Sequence, residues 1–346
     1  MRILAAAILI LIPVFASAQA GNDTLTIIGV GDIMMGTNYP EDKLPPDNGA
    51  FLMREVESIL NDADVTFGNL EGTLLDGEGT PKKCNDPKVC YAFRTPVNYV
   101  KNLLSAGFDM VSLANNHAGD MGDEGRRSTM RTLENAGILH AGQITQKTTI
   151  FVKDSIRYGL AAFAPNSNCV PLNDLENAVG IIKALADTVD VVIVSFHGGA
   201  EGAKFQNVPR VNEMYYGENR GDVYKFSHLM IDAGADIIFG HGPHVTRAVE
   251  VYKNRFIAYS LGNFCTYRGI SVNGVNGIAP IVKVFTDKEG KFLKGRITAT
   301  YQTYATGVRI DPNKQVIKKI QELNQKDFPD SPTRIDDNGI ITYLAQ

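Results

Sequence analysis

The sequence predicts an α/β fold on three observations. Short apolar runs alternate with amphipathic segments, nearly every apolar run ends in a glycine- or asparagine-rich loop, and the composition is globular. Of 346 residues, 44% are hydrophobic, 21% are charged and none is tryptophan, which excludes fibrous, disordered and polytopic classes. Thirty-four basic against 38 acidic residues give a net charge of −4, with no block of like charge, so the chain is not expected to bind nucleic acid. The length suits one large domain, alone or with an appendage.

Met1 and Arg2, the apolar run Ile3 to Phe15 and the small residues Ala16-Ser17-Ala18-Gln19-Ala20 follow the order of a secretory signal. Residues 1–20 are read as that signal, cleaved near Ala18 or Ala20. The apolar stretch is shorter than the roughly 20 residues a spanning helix needs. An exported protein is therefore expected, periplasmic, extracellular or at the cell surface. In that oxidising space the four cysteines become disulfide candidates: Cys84 and Cys90 flank a polar turn, and Cys169 and Cys265 each follow an apolar strand.

Strand-like runs are Leu25 to Val30, Val65 to Phe67, Met110 to Leu113, Arg157 to Phe163, Val191 to Ser195, Asp236 to Phe239 and Phe256 to Tyr259. Between them, apolar residues recur every three to four positions over Gly49 to Leu60, Val97 to Ala106, Asp123 to Ala136, Asn173 to Ala186 and Val223 to Ala233, which predicts helices. Strands alternating with helices mean βαβ units and a sheet covered on both faces. Later the rhythm changes. Ile281 to Thr286, a turn at Asp287 to Gly290 and Phe292 to Tyr301 predict a hairpin, followed by a helix near Asn313 to Asn324. We divide the chain into the signal, a main domain over 21–310 and a helix-and-strand extension over 311–346.

Ligands in open α/β sheets collect beyond the carboxyl ends of strands, and there the sequence concentrates metal-ligand residue types. Asp32 follows the first strand, Asn69 and Glu71 the second, Asn116 and His117 the third, and His197 the strand at Val191. His241 and His244 follow the strand at Asp236. Imidazole is the commonest neutral metal ligand, and glycine in Gly240-His241-Gly242-Pro243-His244 allows a turn tight enough to aim two rings at one point. Convergence on one sheet edge lifts each residue above an ordinary loop side chain. His140 and His228, with no second ligand type nearby in sequence, read as structural, and Arg126 and Arg127, after Asp120, Asp123 and Glu124, as surface ion partners.

In order, Gly31-Asp32-Ile33-Met34-Met35-Gly36, Asn69-Leu70-Glu71-Gly72, Ser112-Leu113-Ala114-Asn115-Asn116-His117, Ser195-Phe196-His197-Gly198, Gly240-His241-Gly242-Pro243-His244-Val245 and Tyr259-Ser260-Leu261-Gly262-Asn263-Phe264 resemble the CapA family of bacterial capsule-synthesis proteins, named for poly-γ-glutamate capsules. The resemblance implies a calcineurin-like metallophosphoesterase fold, a four-layered αββα sandwich with metal ions at the strand ends. Two departures from the wider superfamily pattern stand out: Met34 replaces a histidine, and Asn69 a bridging aspartate. A neutral amide bridges two cations less well than a carboxylate, so one metal is as consistent as two.

The resemblance implies Asp32, Asn69, Glu71, Asn116, His197, His241 and His244 as ligands to a divalent metal, with Mn, Fe, Zn or Co suiting this donor set. Catalytic assignment falls on His117, Asn116 and Glu71, with His117 as general acid. Two functions are expected. One is metal-assisted hydrolysis or transfer at a phosphoester or acyl bond of a surface polymer, beside membrane-bound capsule-synthesis machinery. The other is an accessory role, binding an anionic polymer through Lys82, Lys83, Lys88, Arg94, Lys204, Arg210 and Arg220.

Overall fold

The computed structural model describes residues 24–83 and 90–344. The expected signal, 1–20, lies outside the described residues. Within them no helix is long and apolar enough to cross a membrane.

Among the described residues, sixteen strands build two main sheets. The first sheet holds β1 (Leu25–Met34), β2 (Val65–Leu70), β3 (Met110–Ser112) and β4 (Leu139–Ala141) side by side and parallel. The second is formed by β5 (Thr148–Lys153), β6 (Ile156–Phe163), β7 (Val191–His197), β8 (Ile237–His241), β9 (Val249–Tyr252) and β10 (Arg255–Ala258). Its order is β9-β10-β8-β7-β6-β5, parallel across β10, β8, β7 and β6. The chain then returns to the first sheet with β11 (Asn263–Thr266), β12 (Ile278–Thr286), β13 (Phe292–Thr303), β14 (Gly307–Ile310), β15 (Thr333–Ile335) and β16 (Ile340–Tyr343). There β12 pairs antiparallel with β1 and β13, β16 extends the edge beyond β13, and β11 lies along the carboxyl end of β1.

Side-chain alternation assigns the layers. Ile27 and Phe67 point from the first sheet into a core shared with Leu160, Ile193 and Phe239 of the second, and the Phe67 and Phe239 rings stack at 5.5 Å across it. Their neighbours Ile28 and Val111 point the other way, onto Leu60, Leu103 and Leu133. These come from α1 (Glu57–Leu60), α2 (Val100–Ser105) and α3 (Gly122–Ala136). On the far side, Val192, Val194 and Ile238 meet Ile182 of α4 (Leu175–Ala186) and Phe226 and Met230 of α5 (Val223–Asp232). Each such fully buried side chain contributes about 1.5–3 kcal/mol. The result is the αββα sandwich. A last helix, α6 (Gln315–Asp327), puts Val316, Ile317 and Ile320 into the shared core.

Two expectations are corrected. Gly49 to Leu60 is not one helix, since Asp47, Asn48 and Gly49 adopt left-handed φ and short turns carry the chain to the single helical turn at Glu57. Leu52, Met53, Val56 and Leu60 still reach the core, so the helix-like spacing is satisfied without a helix. Cys169 and Cys265 are free and buried, and they sit on opposite sides of the first sheet in separate clusters, so they do not pair. Cys90 is disulfide-bonded, while Cys84 lies outside the described residues.

Candidate metal centre

Strand register brings the ligand types to one height. In the first sheet Asp32 stands beside Asn69 of β2 and Asn263 of β11. In the second, His241 at the end of β8 stands beside His197 at the end of β7. The two pairs face each other across the sandwich, with Asp32 Oδ1 3.3 Å from His241 Nδ1. Glu71 follows β2 and is fully buried. The turn after β8 needs Gly242: at its φ of 113° a Cβ would lie 2.7–2.8 Å from the Gly198 backbone. That close turn carries His244 back, so that its Nδ1 lies 3.0 Å from Asp32 Oδ2 and 3.1 Å from Asn263 Oδ1. Its Nε2 lies 3.5 Å from Glu71 Oε1.

Atoms of Asp32, Glu71 and His197 all fall within 4.8 Å of one another. Asn69 Nδ2 donates to Asp32 Oδ1 at 2.9 Å and Glu71 Oε2 at 3.2 Å, and its Oδ1 accepts from Asn115 at 3.0 Å. Asn69 thus orients both carboxylates. Met34 is buried, its sulfur 3.3 Å from the Gly36 amide.

Around this centre several buried atoms have no hydrogen-bond partner among the described residues: both ring nitrogens of His197 and of His241, Glu71 Oε1 and Asn116 Oδ1. An unpaired buried polar atom costs about 1–3 kcal/mol. Two bare imidazoles beside two carboxylates form the N/O donor set that holds transition metals, so these residues fit a divalent metal ion.

Charge is balanced tightly. Burial works against the Asp32 carboxylate, but the His241 and His244 rings beside it hold it well below the usual carboxylate range. Burial and the neighbouring Asp32 push Glu71 well up. Burial also pulls His244 down, but the carboxylates of Glu71 and Asp32 outweigh it and raise it to about 10. His197 is lowered, first by burial and then by the Arg220 charge.

His117 borders the cluster, its Nε2 3.9 Å from Glu71 Oε1. Its Nδ1 lies 2.7 Å from Asp120 Oδ2 and its ring stacks on Phe93 at 4.4 Å. Burial lowers its pKa although Asp120 opposes this. Asp120, expected as a surface partner of Arg126 or Arg127, is fully buried. It also accepts from Phe93 N at 2.6 Å and pairs with Lys82 at 2.6 Å, while Arg126 turns to Asp123. Together with Asn115 and Asn263, Asp120 is a site residue not expected from the sequence, although its place three residues after His117 is a local signal. His140 and His228 stand apart, beside Glu134 and Glu250.

A cleft of about 730 Å³ opens onto the centre, lined by Asn116, His117 and His244 at its floor and by tyrosines at its mouth. The basic side chains expected to grip a polymer are largely engaged elsewhere. Arg220 is 2% exposed and pairs with Glu201 and Glu218. Arg210 lies over the Tyr224 and Phe328 rings, Arg94 binds Asn38 and the Gly77 carbonyl, and Lys82 is held by Asp120. Lys88 lies outside the described residues.

The sequence model described as bacterial capsule synthesis protein PGA_cap matches residues 26–268. The chain is 32% identical over 266 residues to the PGA biosynthesis protein CapA of Bacillus subtilis, covering 72% of this chain and 65% of that one. It is 29% identical over 269 residues to the capsule biosynthesis protein CapA of Bacillus anthracis, covering 72% and 61%. It thus spans less than two thirds of the length of either relative. Among solved structures it is similar to a putative 5'-nucleotidase from Staphylococcus aureus, at 14% identity and TM-score 0.43, covering 86% of this chain and 58% of that one. With the family's sequence model matching most of the chain and its loop motifs meeting at one buried centre, the chain belongs to the PGA_cap family of bacterial capsule synthesis proteins.

Proposed function

We propose that this is an exported CapA-like protein that acts in the synthesis of a capsule or surface polymer as a metal-dependent hydrolase or transferase of a phosphoester or acyl bond. The carrying observation is the buried cluster of Asp32, Glu71 and His197, whose ligand atoms lie within 4.8 Å of one another, with the His197 ring free of hydrogen bonds among the described residues and His241 beside Asp32. The names of the Bacillus relatives supply the capsule setting, and the amino-terminal signal pattern supplies export.

Asp32, Glu71, His197, His241 and His244 would hold the ion, with Asn116 Oδ1 as a further donor. A divalent ion there supplies Lewis-acid polarisation of a phosphoryl or acyl oxygen and activates water. Asn69 and Asn263 fix the carboxylate and His244 by hydrogen bonds. His117 offers Nε2 to the cleft, because Asp120 takes Nδ1–H. Burial lowers the pKa of this ring and so favours the form with a lone pair on Nε2, which would take a proton from the attacking water and pass it to the leaving group. His117 therefore acts as an acid only after acting as a base.

The alternative is an accessory protein that guides an anionic polymer without chemistry: Mycobacterium tuberculosis relatives named as probable polyglutamine synthesis accessory proteins favour it, and while Lys82, Arg94, Arg210 and Arg220 are held by internal contacts, Lys83 and Lys204 are exposed. Elemental analysis of protein purified without chelator tests the reading, beside an Asp32→Ala/His241→Ala double variant. About one tightly held transition metal per chain, lost in the variant, with turnover of a phosphoester or γ-glutamyl substrate, is expected. Protein that stays metal-free after reconstitution refutes it.

A further inference from the structure

Between β7 and α5 the chain makes a long excursion, residues 198–222. It is stapled to the sandwich by Arg247, fully buried, whose guanidinium meets Glu213 twice at 2.7 Å and the Ala200 carbonyl at 3.3 Å. On it sits a small hairpin, Met214–Tyr215 paired with Glu218–Asn219, turning at Tyr216 and Gly217. Both turn residues have positive φ, 47° and 80°, the signature of a tight hairpin turn that favours Asn or Gly at its first position. A tyrosine there is strained, and strain of this kind persists where the side chain is needed. Tyr216 is 81% exposed, its ring packs 4.5 Å from the Tyr215 ring, and it lines the cleft that also holds His117 and His244, together with Tyr91 and Phe93.

The charges on the same walls indicate what body the cleft suits. Glu201 and Glu218 bracket Arg220, and Asp120 neutralises Lys82. Neither wall cation is left unpaired to balance a string of carboxylates. What remains is an aromatic mouth over a metal-type floor.

We propose that Tyr216 is a substrate-stacking residue, and that the cleft takes a singly reacting oxyanion attached to a neutral planar ring, the ring lying on Tyr216. This rests on the reading of the cleft as the substrate cleft, and adds the chemical class of the group next to the reacting bond. Stacking of this sort is worth about 3- to 10-fold in affinity.

The test is binding of phenylphosphonate and of methylphosphonate to full-length, metal-reconstituted protein, measured by ligand NMR line broadening. The expected result is that the phenyl compound binds at least about threefold more tightly. Tyr216→Phe should keep that preference and Tyr216→Asn, which suits the turn, should abolish it. A thermal melt of the Asn variant at or above wild type would show that the fold is intact. Equal affinity for the two compounds in wild type, a preference that survives Tyr216→Asn, or no binding of either overturns the proposal. Phosphoester turnover, measured separately, reads the hydrolase assignment, so the two readings can fail independently.

Discussion

Replacing Asp120 by Asn should cost about 2 kcal/mol of stability, and the structure shows where that comes from. One oxygen of Asp120, Oδ2, serves His117 Nδ1 and Phe93 N, while Oδ1 faces the Lys82 ammonium, all at 2.6–2.7 Å. Asparagine keeps one acceptor and turns the other oxygen into a donor. Placed one way, its NH2 opposes the ammonium; placed the other way, it opposes His117 and Phe93. Either orientation loses at least one charge-assisted contact, worth about 1.5–3 kcal/mol. Lys82 keeps a quarter of its side chain exposed and can swing to water, which holds the sum near the lower half of that range. Urea denaturation of wild type, Asp120→Asn, Lys82→Met and the double variant gives the cycle. The double variant should recover at least about 0.5 kcal/mol relative to additivity, the usual floor for residues in one ion-pair network. A single-variant cost below about 0.5 kcal/mol, or strict additivity, would show that Asp120 does not organise this corner.

Three further outcomes are expected. Burial raises Asp236 from 3.8 to about 6, against the Val192 amide and Arg255. A carboxyl whose folded pKa is raised contributes its stability below the unfolded value and loses it as pH rises through about 6. Wild type should therefore lose up to about 3 kcal/mol relative to Asp236→Asn between pH 4 and pH 7, and parallel stability profiles by urea titration would contradict this. Gly31→Ala would press a methyl onto the Gly262 carbonyl oxygen and to within 2.6 Å of the Leu261 oxygen. Because both contacts are backbone, β1 and β11 must separate at Asp32, and the variant should bind metal at least tenfold more weakly; unchanged metal content by elemental analysis would argue otherwise. Native protein should show no thiol reactive to a disulfide reagent, since Cys169 and Cys265 are buried and burial pushes the Cys265 thiol up to about 12. Two thiols should titrate after denaturation without reductant.

Periodicity made most of the sandwich legible. Val191 to Ser195 reads as a strand buried on both faces because every position is apolar or small, and β7 is buried throughout. The spacing at Gly49 misled because an apolar stripe specifies only which residues go inward, and consecutive turns can satisfy it as a helix does. For the site, residue type at strand ends named the candidate donors, since β-register puts equivalent strand positions on one rung. It did not separate ligands from the groups that aim them. Asp120 looks like any acid opening a helix until the Phe93 amide and the Lys82 ammonium meet its carboxylate, and Asn263 lies 19 residues from the histidine it positions. Apart from the three-residue spacing of His117 and Asp120, those contacts join segments separated along the chain.

The strand order also dictates an assembly sequence. The second sheet is drawn from one continuous stretch, residues 148–258, whereas the first needs both β1 to β4 and the late strands β11 to β16. During synthesis the inner segment can therefore complete its hydrogen-bonded ladder before the outer one has all its strands. Asp32 and Glu71 belong to the first sheet and His197, His241 and His244 to the second, so a full ligand set exists only when the two sheets have docked face to face. Metal uptake is then a natural reporter of sheet docking, because neither sheet alone carries the donors.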